Sequence, residues 1–312
     1  MPNARSDSAA TGRVPRRRAA RAAAGALALT VLLGAPDALA YCRTASCEGG
    51  LAGQQCNPPT PTDCGIPLFW GKPCMSFSVH RDGSPQVDVD TTEALVTQAF
   101  AAWQQADCGG GLTPRMEVHN LGRVECDRPE YNQSGGNANL VIFRGGDWPY
   151  LGLGRTLALT TVTFSIDDGE IYDTDLEVNA SDDLELTTTD VAVQYDVLSI
   201  LTHEAGHMLG LAHSDVNGAT MDVEYVLGTT TLRTLEADDA AGICEAYPPG
   251  EIGNCDPTPR HGFQSTCGPA PVEEGCGCAS APRRTRAGWL GLVMGLAALV
   301  GWRATRGRRR SA

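Results

Sequence analysis

The stretch "LTHEAGHMLGLAHS", residues 201–214, contains three of the six histidines of this 312-residue chain. A residue advances about 100° along a helix, so His203 and His207 lie on one face about one turn apart. Gly210 follows three residues later, where a helix can end in a left-handed turn and bring His213 back toward the same point. Three converging imidazoles are a zinc ligand set, so the stretch predicts one zinc ion held by His203, His207 and His213.

The same stretch also contains an acid beside the first ligand. A short HExxH pattern occurs by chance in many helices, but HExxHxxGxxH fixes five positions, including the glycine at the bend, and favours a metal site. Three neutral imidazoles leave the double charge of zinc in place, so a zinc-bound water ionises near neutral pH. Glu204 can take the proton of that water. The pattern therefore predicts a hydrolytic centre in which Glu204 is the catalytic base.

The extended motif, followed by Ser214, resembles that of the metzincin zinc peptidases, and their matrixin branch in particular. In "GATMDVEY", Met221 stands eight residues after His213, the place of the methionine turn under the zinc of that family. "LRTLEADDAAGICEAYP" predicts a helix from near Thr234 to before Pro248, similar to the C-terminal helix of the matrixin domain. The resemblance implies a zinc endopeptidase that acts on protein or peptide substrates.

The resemblance covers roughly residues 68–248 and implies an α+β domain. Its sheet would be twisted, mostly parallel and five-stranded, with an antiparallel edge strand, an active-site helix and a C-terminal helix. "CMSFSVH" from Cys74 predicts a strand, and a helix capped by Thr91 or Thr92 follows. Four further β-rich runs are "RMEVHN", "NANLVIFR", "LALTTVTFS" and "EIYDTDLEV".

The active-site helix is expected from about residue 188 to residue 209. Asp190 or Asp196 would cap its start or occupy its first turn. Its buried stripe is predicted to consist of Leu198, Leu201, Ala205 and Leu209.

The resemblance gives the strand around residues 157–163 a role as the edge above the zinc. An extended peptide substrate could add itself there by main-chain hydrogen bonds along Leu157, Ala158 and Leu159. An ordinary paired strand is the alternative.

A second cation is considered in "SIDDGEIYDTD". Carboxylates clustered around a glycine could bind calcium, as related matrixin loops do, or form a solvated hairpin turn. The residues concerned are Asp167, Asp168, Asp173 and Asp175.

Both ends of the chain resemble sorting signals. Residues 1–40 end in a basic stretch, an apolar run and Ala-Leu-Ala, which is typical of a secretory signal peptide; a membrane-anchoring helix is the alternative. Residues 283–312 hold an apolar run and an arginine cluster that follow a Cys-Gly-Cys, and this tail is similar to the MYXO-CTERM sorting tails of myxobacterial surface proteins. That similarity implies a sorting protease, modification of Cys276 or Cys278, and membrane contact through the tail before processing. Plain membrane anchoring is again the alternative.

Charge and cysteines agree with export. Residues 41–282 carry 10 basic and 35 acidic residues, and this surface charge excludes nucleic acid as a partner. Ten cysteines remain when the two of the tail motif are set aside, which predicts up to five disulfides. Residues 41–67 are predicted to form a cysteine-rich cap, in which Cys64 of "DCGIP" could alternatively act as a latency thiolate. Residues 249–282 would be a Pro- and Gly-rich tether with a disulfide between Cys255 and Cys267, or else an ordered extension.

Two functions from different classes follow. The first is an exported zinc endopeptidase, secreted or held at the cell surface, with broad or very narrow specificity. The second is a surface binding or adhesion protein that retains the metal fold and cuts nothing. The presence of Glu204 beside all three histidines favours the enzyme.

Overall fold

The structure, a computed structural model, describes residues 41–46, 65–146, 148–150 and 156–269, together with the backbone of 292–295. Predictions on the signal peptide, on Cys64, on Cys276 and Cys278, and on most of the tail fall outside the described residues. They stay predictions. Within the described part of the chain, no helix is long and apolar enough to cross a membrane.

Secondary structure follows the predicted order of one strand, a helix, several strands and two further helices. The strands are β1 Cys42–Arg43, β2 Cys74–His80, β3 Glu117–Val124, β4 Leu140–Gly145, β5 Ala158–Phe164, β6 Ile171–Ala180, β7 Leu186–Thr187, β8 Tyr195–Asp196, β9 Leu211–Ala212 and β10 Leu292–Gly295. The helices are α1 Val89–Gln104, α2 Val197–Met208 and α3 Ala237–Ala246, with a 3-10 turn at Thr231–Arg233.

The predicted α+β sheet is confirmed. Five strands lie in the order β5-β6-β4-β2-β3, with parallel pairing from β6 through β3 and an antiparallel β5 at one side. On the outer side of β5, the backbone of β10 pairs antiparallel, with Leu292 opposite Val162 and Gly295 opposite Leu159. Apolar residues of α1, α2 and the sheet form one buried core. The sheet thus carries α2, and with it the histidine motif, on one face.

The first helix begins earlier than predicted. Asp88, not Thr91 or Thr92, is its N-cap, and the Asp88 carboxylate accepts a hydrogen bond from the backbone N–H of Thr91 at 3.0 Å. A carboxylate satisfies a free N–H and also interacts well with the positive end of the helix dipole, so it is preferred as the cap.

The active-site helix is shorter than predicted. It begins at Val197, because residues 186–187 pair with residues 195–196 as the short strands β7 and β8. Between these strands Ala192 has a φ of 49°, which a continuing helix does not allow. The prediction of helix from residue 188 is therefore wrong over its first nine residues.

The cap of α2 agrees with one of the two predicted candidates. Asp196 accepts a hydrogen bond from the N–H of Ser199 at 2.8 Å and binds the guanidinium of Arg233 through both carboxylate oxygens. Asp190 instead forms an exposed ion pair with Arg233. The predicted stripe of Leu198, Leu201, Ala205 and Leu209 is buried, and so is every other residue of the helix.

The C-terminal helix is shorter than predicted at its start. It begins at Ala237, three residues after the predicted Thr234, because Glu236 and Asp239 form a capping box there.

The disulfides correct one prediction. Cys255 bonds to Cys74 and Cys267 bonds to Cys126, so the predicted Cys255–Cys267 pair is wrong; a third bond joins Cys108 to Cys244. Residues 249–269 return to the sheet, and each cysteine meets a different strand end. Asn137 pairs with Phe263 in the same region. Up to residue 269 this segment is the ordered extension, the alternative to a tether.

The aspartates considered for calcium separate into two groups. Asp168 lies in the β5–β6 turn, where it accepts a hydrogen bond from the N–H of Glu170, as the hairpin-turn alternative expects. Asp173 and Asp175 are buried on β6, and Asp175 accepts from the N–H groups of Leu140 and Glu130. Within the part of the chain that the structure describes, Asp173 Oδ1 is buried without a hydrogen-bond partner. The four carboxylates therefore do not form one site.

The buried pair of Asp173 and Asp175 makes the free energy of unfolding depend on pH. Burial and the neighbouring Asp175 raise the pKa of Asp173 well above its usual value, and burial raises the pKa of Asp175 to about 8. The folded pair retains protons that the unfolded chain releases near pH 3.9. Its contribution to stability is therefore complete below about pH 4, and the free energy of unfolding then falls with a negative slope as the pH rises through about 8, the pKa of Asp175. Chemical denaturation between pH 5 and 8 measures this slope.

Asp173→Asn removes the ionisable group with little change of shape. We therefore expect the free energy of unfolding of this variant to depend less on pH, and its denaturation midpoint at pH 8 to be higher than that of the wild type. Asp182→Asn, at an exposed site, should leave the slope unchanged. A lower midpoint for Asp173→Asn at pH 8, with stabilisation of the wild type alone by calcium, would show instead that the pair binds the ion as carboxylates.

Candidate metal centre

The three histidines of the motif converge. Helix α2 places His203 and His207 one turn apart, and Gly210, with a φ of 89°, turns the chain so that β9 leads back to His213. Ring centroids are 4.9 Å apart for His203 and His207, 5.2 Å for His203 and His213, and 4.8 Å for His207 and His213. One ligand nitrogen from each ring lies within 4.8 Å of the others. The convergence predicted from the spacing is confirmed.

Backbone carbonyls fix the tautomers of the two helical ligands. His203 Nδ1 lies 2.7 Å from the carbonyl oxygen of Thr220, and His207 Nδ1 lies 2.9 Å from that of Leu211. A carbonyl only accepts, so Nδ1 carries the hydrogen and Nε2 presents its lone pair. Burial is the largest cause that lowers the pKa of each of the three histidines to about 3. All three rings are therefore neutral at physiological pH, which is the form in which an imidazole binds a metal ion.

The donor set fits zinc. His203 Nε2 is buried and has no hydrogen-bond partner among the described residues, which is costly unless an electrophile faces it. His207 Nε2 and His213 Nε2 are 3.2 Å apart. Two nitrogens on a tetrahedral zinc at about 2.0–2.1 Å are separated by about 3.4 Å. The described residues of the cluster supply three neutral nitrogens, and three protein ligands are the number that a catalytic rather than a structural zinc site uses.

Glu204 lies beside these ligands and is tied to the sheet. Only 2% of Glu204 is exposed, and its Oε2 accepts a hydrogen bond from the Thr160 hydroxyl of β5 at 2.6 Å. Burial raises the pKa of Glu204 to about 7, and the hydrogen bond from Thr160 opposes that shift. Thr160 was not among the residues predicted for the site. The only signal for it was its place on the strand predicted to border the site.

The end of α2 is held by side chains from distant parts of the chain. The last carbonyls of a helix lack intrahelical partners. The Trp70 indole N–H donates to the carbonyl of Met208 at 2.9 Å, and the Tyr247 hydroxyl donates to that of Leu209 at 2.8 Å. These two hydrogen bonds hold the turn at the end of α2, from which the chain leads back to His213.

The N-terminal strand completes this support. Thr44 donates its backbone N–H to the carbonyl of Gly210 at 3.0 Å and its hydroxyl to that of Leu211 at 3.1 Å. Because Leu211 also accepts from His207, Thr44 and the metal ligand share one acceptor. Residues 42–43, predicted as part of a separate cap, thus pair with β9 inside the histidine motif.

We expect Trp70→Phe to lower the free energy of unfolding by about 1–3 kcal/mol, because the carbonyl of Met208 loses its donor in a buried place. Zinc affinity should fall as well, since the turn before His213 loosens. Denaturation and zinc competition measure the two effects. Trp148→Phe is the matched control, because no described residue accepts a hydrogen bond from the buried indole N–H of Trp148. Equal losses in both variants would contradict this account.

Met221 lies beneath the site, as the motif predicted. Its backbone carbonyl accepts from the N–H of Ser214 at 2.8 Å, and its own N–H donates to Asp239 at 3.0 Å. A Cβ added to Gly206 would lie 2.3 Å from the Met221 sulfur. The sulfur therefore packs directly against α2 between the two helical ligands.

Tyr225, which had no assigned role, holds the loop after Met221. Its hydroxyl accepts from the N–H of Asp196 at 2.7 Å and lies 3.2 Å from the carbonyl of Gln194 and 3.1 Å from that of Thr229. The hydroxyl thus anchors this loop to the start of α2.

The predicted edge residues lie on or next to β5, which is paired on both sides in the described sheet, with β6 and with the backbone of β10, as the paired-strand alternative expects. Ala158 and Leu159 begin β5, and Leu157 immediately precedes it; all three are buried. On the outer side of β5, the position that a substrate strand would take is occupied by β10.

Fold and site together define an α+β domain in which three convergent histidines lie beside a buried acid. Residues 144–248 match the sequence model of the Matrixin family of peptidases. The chain is 40% identical over 65 residues to neutrophil collagenase of Homo sapiens, which is 21% of this chain and 14% of that protein. It is 34% identical over 105 residues to metalloendoproteinase 1-MMP of Arabidopsis thaliana, which is 34% of this chain and 27% of that protein. The chain therefore spans under a third of the length of each relative, and these similarities support a metzincin-like metallopeptidase.

Proposed function

We propose that the protein is a zinc-dependent endopeptidase. The observation that carries this proposal is the convergence of three neutral, buried imidazoles next to a buried glutamate. The similarity of residues 144–248 to the Matrixin family supports the reaction class. His203, His207 and His213 would hold one zinc ion, with Met221 packed beneath.

The residues around the ion then have distinct tasks. When bound, zinc would act as a Lewis acid that lowers the pKa of water and polarises the carbonyl group of the peptide bond to be cut. Glu204 takes the proton of the attacking water and passes it to the leaving amine. Because Thr160 holds Oε2 of Glu204, Oε1 is left to exchange that proton. The backbone carbonyls that bind Nδ1 of His203 and His207 keep both rings in the ligating tautomer.

The substrate we propose is an extended segment of a protein. It would pair antiparallel with the outer edge of β5, by the main-chain hydrogen bonds through which peptides add to sheet edges. The pairing of β10 supports this, since that edge accepts an antiparallel strand from the same chain. The acidic region 41–282 favours neutral or basic substrates.

We also propose that the chain is exported and attached to the cell surface, or secreted. Three disulfides in the described domain support an oxidising compartment. The signal-like start would be removed after Ala40, and a sorting protease would act on the tail near Cys276 or Cys278. A chain that keeps its first forty residues and stays in the cytoplasm would contradict this part of the proposal.

Metal removal tests the peptidase. We expect the zinc-loaded protein to cut an unstructured protein such as casein, to lose this activity in a zinc chelator, and to regain it with one equivalent of zinc. The full chain and a chain ending at residue 282 are assayed side by side, because Leu292–Gly295 lies along the edge that a substrate would use.

Two results of that assay would count against the proposal. If both zinc-loaded forms bind the metal and neither cuts, the surface binding protein becomes the better account. If cleavage continues at full rate in the chelator, a metal-independent contaminant or mechanism is responsible.

A further inference from the structure

We propose that Thr160 is a positioning residue for Glu204, so that the strand along which substrate lies also orients the catalytic base. The proposal rests on the proposed peptidase function and deepens it. It assigns to a side chain of β5 a task separate from the main-chain pairing expected of an edge strand.

The geometry of the pair is specific. Thr160 Oγ1 and Glu204 Oε2 are 2.6 Å apart, and the two residues are 1% and 2% exposed. A carboxylate at this site accepts, so the threonine hydroxyl donates its single hydrogen to it. In the β5–β6 register Thr160 stands opposite Leu176, a core residue. Its side chain therefore lies on the face of the sheet that carries α2.

A glutamate side chain has three rotatable bonds, whereas a base must hold its accepting oxygen in place. Threonine is branched at Cβ and has few rotamers, and here it belongs to a strand paired along its whole length with β6. A bond from such a group fixes the plane of the Glu204 carboxylate. Without it, Glu204 keeps its place on α2 but loses the fixed orientation of Oε1.

A purely structural role would give a different result. In that case the bond would only satisfy a buried carboxylate, and its loss would change stability without changing turnover in the folded protein. The chain offers a matched control in Thr174 of β6, which is fully buried and whose hydroxyl has no hydrogen-bond partner among the described residues. Thr174→Val makes the same chemical change on a strand that is not proposed to bind substrate.

The experiment compares the zinc-loaded full chain with Thr160→Val, Thr160→Ser and Thr174→Val. For Thr160→Val we expect kcat to fall on the order of 10²-fold, the loss that follows misplacement of a catalytic group by about 1 Å. KM and zinc affinity should stay within about twofold, because neither depends on the hydroxyl. Thr160→Ser keeps the donor and should restore most of the rate, and Thr174→Val should match the wild type.

A second readout does not require turnover. Binding of a small hydroxamate, which chelates zinc and hydrogen-bonds to a neighbouring carboxylate, is measured by calorimetry on the same four proteins. We expect Thr160→Val to bind it about tenfold more weakly, as the loss of one well-placed hydrogen bond to a charged group implies. Serine should restore the affinity.

The outcomes separate the two proposals. If the wild type cuts and Thr160→Val is folded, zinc-loaded and unchanged in both kcat and hydroxamate affinity, the positioning role is wrong and the peptidase stands. If the wild type cuts nothing while hydroxamate binding depends on Thr160 as expected, the positioning role stands and the peptidase fails. If Thr160→Val does not fold, the test depends on Thr160→Ser, which keeps the hydroxyl. The proposal is overturned if the kcat and the hydroxamate affinity of Thr160→Ser differ from those of the wild type by more than about threefold.

Discussion

Glu204→Gln should reduce kcat by about 10²- to 10⁴-fold with zinc content unchanged, because a general base usually contributes that much to the rate. Glutamine has nearly the shape of glutamate and can still meet the Thr160 hydroxyl, but its amide cannot take the proton of the attacking water. Since Glu204 is not one of the three ligand residues, zinc should remain bound. Initial rates of peptide cleavage and zinc content, measured on the same preparation, give both quantities.

Glu224→Gln is the control for that substitution. Glu224 is exposed in the loop after Met221, so the same chemical change there removes one negative charge near the site without touching the base. Its cleavage rate should equal that of the wild type within about twofold, the usual extent of exposed surface changes. A Glu204→Gln protein that cuts as fast as Glu224→Gln would exclude Glu204 as the base.

Gly206→Ala should destabilise the protein by about 1–3 kcal/mol and weaken zinc binding, because the new methyl group overpacks the core between two ligands. Its carbon would lie 2.3 Å from the Met221 sulfur and 2.7 Å from the Trp103 ring. The methionine can move, but the Trp103 indole is fixed by a 2.8 Å hydrogen bond to the carbonyl of Thr202. Relief of the clash must therefore shift α2, which carries His203 and His207.

Helix propensity alone predicts that Gly206→Ala stabilises the protein, since alanine in a helix is about 1 kcal/mol more favourable than glycine. Urea denaturation and zinc competition decide between the two effects. In the double variant Gly206→Ala, Met221→Ala, the shorter side chain leaves room for the methyl group, so the two losses should be less than additive. Greater stability of Gly206→Ala than of the wild type would show that the packing beneath the site is looser than described.

The histidine site could be predicted because its determinants are local. Spacing along one helix fixes the relation of His203 to His207, and a glycine at residue 210 permits the left-handed turn that returns His213. The order of the strands along the chain could be predicted from the β-rich runs of sequence together with the resemblance to the metzincin peptidases. The N-cap of α2 could also be predicted, since helices commonly begin with an aspartate just before their first apolar residue.

The remaining features depend on contacts between distant residues. The helix from residue 188 was overestimated because Tyr195–Asp196 pairs with Leu186–Thr187, and a periodic apolar pattern carries no sign of that pairing. Cys255 and Cys267 are near each other in sequence but bond to different partners, because the chain returns across the sheet. Thr160 meets Glu204 only when β5 and α2 are packed together. None of these contacts has a signature within one stretch.

The most direct test of the three-histidine zinc centre is the X-ray absorption spectrum of the full chain loaded with one equivalent of zinc. We expect three imidazole nitrogens at about 2.0–2.1 Å, one further light ligand, and no sulfur. A sulfur at about 2.3 Å would place a cysteine such as Cys64 on the metal, and fewer than three imidazoles would mean that the histidines do not act together. Either result would contradict the open, three-histidine centre on which the proposed hydrolysis depends.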